Sequence, residues 1–121
     1  MTFNDKDLSV AQAFVGDNRQ LLFRNGDTIL VNEPLAIKWA KNLSIAAFGE
    51  CWERNEKGIC KNPPVFMNKK AKQVIHISSP DGTQQASNII IKDLKFINQN
   101  TDSSTTAIFV KIIAIETYYI V

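Results

Sequence analysis

Apolar and polar residues alternate along most of this chain in short runs, and the runs are closed by turn-forming residues. From Arg19 onward, Ile, Val, Leu, Phe and Thr collect in stretches that Gly, Asn, Asp, Pro or Ser terminate: Gln20 to Phe23, Thr28 to Val31, Leu35 to Ile37, Leu43 to Phe48, Val65 to Met67, Val74 to Ile77, Ile89 to Ile91, Leu94 to Ile97, Ala107 to Val110 and Ile112 to Ile115. Each run predicts a strand. Leu43, Ile45 and Ala47, then Ile89 and Ile91, then Leu94 and Phe96 fall on alternate positions, so each strand buries one face and needs a neighbour to close its core. Only the segment Asp5 to Val15 differs. Its acidic start and spaced apolar residues predict a short amphipathic helix, which Gly16-Asp17-Asn18 ends.

The strands recur at a fixed spacing. Asn42-Leu43-Ser44-Ile45 and Asn88-Ile89-Ile90-Ile91 share a form and lie 46 residues apart; with Val65 between them and Ile112 beyond, the strand positions advance by 22, 24 and 23. A second series runs through Val74 to Ile77, Leu94 to Phe96 and Thr117 to Ile120. Stacked turns of this kind predict a parallel β-helix of about four coils, because one coil cannot bury its inward residues alone. Asn42, Asn88 and Asn98 suit its corners, since Asn tolerates the left-handed conformation and hydrogen-bonds along a stack. The competing architecture is a β-sandwich. Against it stands the lack of an Asn-Gly or Asp-Gly turn between paired strands; Asp81-Gly82 sits in a polar stretch too long for a tight hairpin. The expected organisation is a capping segment over 1–18 and coils over 19–121, incomplete at the C-terminal end.

Three pieces carry a family likeness: Leu22 to Leu30 with its Gly26-Asp27-Thr28 strand entry, Leu43 to Gly49 with its aromatic-Gly close, and Pro63-Pro64-Val65-Phe66. Together with Ile89 to Asn98, this text resembles the N-terminal coils of pectate-lyase-like right-handed parallel β-helix proteins. The resemblance implies an all-β solenoid with an N-terminal helical cap, and a chain truncated relative to the longer family members. It also implies a carbohydrate-active context of polysaccharide lyases or hydrolases, secretion or surface location, and calcium in a full-length protein. The nearly uniform β-prone tail, Lys111 to Val121, predicts an uncapped last coil that self-associates through its edge.

Composition narrows the function without choosing it. The chain has 121 residues, 45% of them hydrophobic and 21% charged, with a net charge of +2, which describes one globular domain and gives no reason to expect a nucleic-acid partner. No apolar run approaches the roughly 18 residues that cross a bilayer, and the first residues lack the pattern of a signal peptide. Cys51 and Cys60 are spaced unlike zinc or redox pairs; they enclose a polar loop and either form a disulfide or remain two thiols.

The residues that would carry chemistry are sparse. Glycoside hydrolysis needs two carboxylates, yet Asp93 is the one aspartate within a strand region, flanked by Lys92 and Lys95; Glu116 lies one turn on as an outward neighbour. His76 falls opposite Ile75 and Ile77 in its run and reads as a solvent-face residue with no nucleophile to activate, Ser78 and Ser79 lying in a turn. Lys69-Lys70-Ala71-Lys72 reads as a solvated basic turn. No catalytic, cofactor or metal residue is therefore assigned. Trp39, Phe48, Trp52, Tyr118 and Tyr119 are the aromatic groups a sugar-binding face would use, and the candidate carbohydrate contacts are Trp52, Lys92 and Asp93. Two functions follow: the N-terminal part of a carbohydrate-active β-helix protein, inactive on its own, or a non-catalytic adhesin or tailspike-like binding and structural module.

Overall fold

The computed structural model of the protein describes residues 2–3, 7–78, 86–101, 105–111 and 118–120. Its strands are β1 (Thr2–Phe3), β2 (Arg19–Arg24), β3 (Thr28–Val31), β4 (Leu35–Lys38), β5 (Lys41–Phe48), β6 (Val65–Asn68), β7 (Gln73–Ser78), β8 (Ser87–Ile91), β9 (Lys95–Asn98), β10 (Thr106–Lys111) and β11 (Tyr118–Ile120). They form three parallel sheets with the orders β1-β2-β5-β8-β11, β3-β6-β9 and β4-β7-β10, so that from β2 to β11 successive strands visit the three sheets in turn.

The expected all-β content is present, but the regular solenoid is corrected. The right-handed parallel β-helix of about four coils required positions 43, 65 and 89 to stack on one another. Instead Leu43 pairs directly with Ile89, while Val65 pairs with Thr28 on one side and Lys95 on the other. Among the described residues the sheets are separate and open, with five, three and three strands, and none closes on itself or continues as a single solenoid sheet. The even spacing misled because segments of unequal length lie between partners: aligned asparagines are 24, 46 and 30 residues apart. Val74 and Leu94 likewise belong to different sheets or their approaches. The sandwich alternative fails too, since among the described residues every pairing between strands is parallel. Asp5, Ser79, Asp81-Gly82, the run Ile112 to Ile115, Glu116 and Thr117 lie outside the described residues.

The expected short helix is a 3₁₀ segment, Leu8–Phe14. With three residues per turn, Leu8, Ala11 and Phe14 share one face; the first two are buried and Phe14 packs against the core. Asp7 caps it by accepting the Ser9 amide at 2.9 Å. The Gln12 side chain then replaces a strand partner for β4: its amide donates to the Ala36 carbonyl at 2.9 Å and its oxygen accepts the Ala36 amide at 2.8 Å.

Alternation within each strand builds apolar columns through the registers. Leu21, Ile45 and Ile91 lie side by side, as do Leu35, Ile75 and Ile108, and Ile29, Phe66 and Phe96. Phe66 is fully buried and touches Phe23 and Phe96 edge-on, with ring centroids 4.9 and 5.7 Å away. The corners are held by asparagine. Asn42 donates to Asn18 at 2.9 Å and accepts from Asn88, and all three take left-handed backbone with φ of 58, 55 and 52°. A second pair, Asn68 and Asn98, is linked at 3.1 Å beside the buried Ala71.

Candidate functional site

Between β5 and β6 the chain leaves the stack as a small antiparallel hairpin, where the sequence reading expects only a polar loop. Arg54 bridges Cys60, the Lys61 amide donates to the Glu53 carbonyl at 2.8 Å, and Cys51 and Cys60 are joined by a disulfide with Cα atoms 5.8 Å apart. Of the two thiol states left open by the sequence, the paired one is present. Asn55 organises the tip: its side-chain oxygen accepts the amides of Lys57 and Ile59 at 2.9 and 3.0 Å, and Gly58 closes the turn with φ of 79°. An Asn followed three residues later by a left-handed Gly is a turn signature that the sequence does contain.

Buried Asn62 fastens this hairpin to the stack. Its side-chain oxygen accepts the Trp52 amide at 2.9 Å, and its carbonyl accepts the Gly26 amide at 2.7 Å. Gly26, at φ of 89°, lies so close to the Trp52 ring that a Cβ there would touch it at 3.8 Å. The Trp52 side chain is nonetheless 76% exposed.

On its other side the hairpin forms one wall of a groove of about 560 Å³ with the turn that joins β8 to β9. Ile59 and Lys61 line the hairpin wall, while Asp93, Lys95 and Phe96 line the facing wall. Lys61 also meets Glu53 at 3.1 Å across the hairpin; both groups are more than half exposed, so the ion pair contributes little to stability. Asp93 stands in left-handed backbone with φ of 61°, and the turn is fixed by the Lys92 amide on the Ile45 carbonyl and the Lys95 amide on the Pro64 carbonyl, each 3.0 Å long.

Of the three expected carbohydrate contacts, the structure puts Asp93 at this groove. Trp52 and Lys92 are exposed but are not among its lining residues. Lys61, Lys95 and Phe96 also line the groove and were not among the expected contacts; Lys61 comes from a distant part of the chain, through the hairpin. Asp93 sits in a turn rather than inside a strand. His76 is half-buried on β7, flanked by fully buried Ile75 and Ile77 and registered between Ala36 and Phe109. Trp39 is 43% exposed with φ of 59°.

Among the described residues, no three His, Cys, Asp or Glu side chains converge on one point. The groove combines two ammonium groups, one carboxylate and an apolar floor. Such a surface can hydrogen-bond hydroxyls and attract acidic groups while presenting an aromatic ring to an apolar ligand face. No family model, curated protein or solved structure matches this chain.

Proposed function

We propose that this chain is a non-catalytic polysaccharide-contacting module, working in an oxidising compartment. The observation that carries the reading is the groove between the hairpin and the β8–β9 turn, where Lys61, Lys95 and Asp93 surround Phe96 and Ile59. The groove's lining suits binding better than hydrolysis. Hydrolysis of a glycosidic bond needs two carboxyl groups roughly 5 to 9.5 Å apart across the scissile bond, and among the described residues Asp93 is the one carboxylate lining the groove. The Cys51–Cys60 disulfide supports the compartment, since surface disulfides persist where thiols are oxidised. The three parallel sheets suit the role of a scaffold, and the resemblance noted in the sequence favours a glycan as the polymer.

The experiment is a titration with an acidic polysaccharide such as polygalacturonate and with a neutral glucan, read by calorimetry, with the ultraviolet absorbance of unsaturated products followed in parallel. Saturable binding of the acidic polymer, weakened severalfold by Lys95→Glu and by added salt, with flat absorbance, is the expected result. Binding that Lys95→Glu leaves unchanged would place the contact elsewhere. Rising absorbance would make the chain an enzyme.

A further inference from the structure

Five non-glycine residues among those described have left-handed backbone: Asn18, Trp39, Asn42, Asn88 and Asp93. The three asparagines are explained by their mutual hydrogen bonds. Asp93 is of a residue type that tolerates this conformation. Trp39 has neither explanation, and it is the residue for which this conformation is least natural, because a bulky Cβ substituent crowds the following carbonyl.

The backbone around Trp39 leaves little freedom to escape. On one side Lys38 is registered against Ser78, and Ala36 is doubly bonded to Gln12. On the other, the Ala40 carbonyl accepts the Ser87 amide at 3.0 Å, the Lys41 amide donates to Asp17 at 2.9 Å, and the Lys41 carbonyl accepts the Asn18 amide at 2.7 Å. The corner is thus fixed by its neighbours, and the indole is carried outward on it. Burial explains the choice of residue only in part, because 43% of its surface stays exposed. Beside it lies a shallow hollow of about 420 Å³, lined by Gln12, Val15, Ala36, Lys38 and Trp39.

We infer that this hollow is a second glycan subsite, which takes one pyranose residue with its apolar ring face on the Trp39 indole and its hydroxyls on Lys38. The aromatic plane, the small Ala36 floor and one flexible donor match a ring that is apolar on its face and hydroxylated at its rim. The alternative, a protein partner, needs roughly 800 Å² on each side, far more than one indole with Val15 and Ala36 supplies. The inference rests on the reading of the chain as a glycan-contacting module but concerns a different face, formed by β4 and the 3₁₀ helix rather than by the hairpin. Strained backbone retained at an exposed aromatic is the kind of outlier from which function is inferred.

The test uses the full chain carrying Trp52→Phe, so that Trp39 is the sole tryptophan fluorophore. Titration with neutral hexasaccharides of β-linked glucose and of xylose, and with hexagalacturonate, is expected to give a saturable shift of Trp39 emission for at least one of them. In that background Trp39→Asn, which puts at this corner the residue used at the others, is expected to weaken binding of the same sugar about tenfold or more by calorimetry. Its thermal unfolding midpoint is expected to stay level or rise. The inference is overturned if no sugar perturbs Trp39, if Trp39→Asn changes affinity less than twofold, or if it lowers the midpoint and thereby shows that the ring serves packing. Loss of binding in Lys95→Glu with none in Trp39→Asn sinks this subsite and leaves the groove standing; binding lost only in Trp39→Asn does the reverse.

Discussion

The corners of the stack fall into two groups that solve one backbone problem differently. At Asn18, Asn42 and Asn88 the left-handed conformation is occupied by a residue that tolerates it, and the amides link one corner to the next. At Trp39 and Asp93 the same conformation carries a side chain that takes no part in that ladder and borders a hollow instead. Aspartate accepts this backbone with modest strain, while tryptophan accepts it poorly. The difference separates corners chosen for the fold from corners whose side chains are turned to the outside. It also gives a criterion for finding sites on a stack whose strands look alike.

Both groups depend on the same core, so the largest effect should come from damaging what they share. Phe66→Ala removes the ring between Phe23 and Phe96 and should destabilise the chain by about 3–5 kcal/mol in denaturant titration. A loss below 1 kcal/mol would mean the aromatic column is not a common support. Next comes the hairpin. Opening the Cys51–Cys60 link with the paired change Cys51→Ser and Cys60→Ser should cost about 2–3 kcal/mol if the link restrains the unfolded chain as a loop this short should. Hydrogen exchange should then accelerate over the exposed segment 52–61 while the strand amides of β2 and β5 keep their order of protection. Uniform acceleration across the molecule would show that the hairpin is not an independent wall of the groove.

The ladder itself is tested at its middle member. Asn42→Ala loses the contacts to Asn18 and Asn88 and places a Cβ with no compensating amide in left-handed backbone, for an expected loss of about 1–2 kcal/mol. Asn42→Gly removes the same hydrogen bonds but not the conformational tolerance, and should lose less. Equal losses from the two would assign the asparagine's value to the ladder alone and dissolve the distinction from Trp39.

These contrasts explain what could be read from the residues. Strand positions follow from alternation: Leu43 and Ile45, Ile75 and Ile77, Ile89 and Ile91 are all buried as their period of two requires. The corner role of Asn42 and Asn88 follows from the chemistry of a short amide. Which strand lies beside which was not legible, because parallel pairing is set by the length of whatever intervenes; Leu43 reaches Ile89 across the hairpin, β6 and β7. The groove was half legible for the same reason. Asp93, Lys95 and Phe96 are neighbours in the chain, but Lys61 meets them only through the excursion that Asn62 anchors. The exposure of Trp39 left no mark in the alternation, since Ile37 two residues earlier is buried and the corner reverses the expected face.

The smallest expected effect discriminates most finely, because it asks whether the Asp93 corner behaves as a site or as another structural corner. Asp93→Asn keeps the shape of the side chain and a residue at ease with φ of 61°, and Asp93 makes no ladder bond that an amide would strengthen. Stability should therefore change by no more than about 0.5 kcal/mol, the range of surface substitutions. Binding should move in a defined direction. Removing the carboxylate beside Lys61 and Lys95 leaves the groove more positive, so affinity for an acidic polysaccharide should rise severalfold at low salt, and the gain should fade as ionic strength shortens the range of the field. A stability gain above 1 kcal/mol with unchanged binding would instead class Asp93 with the asparagines, as a fold corner filled by a slightly inferior residue.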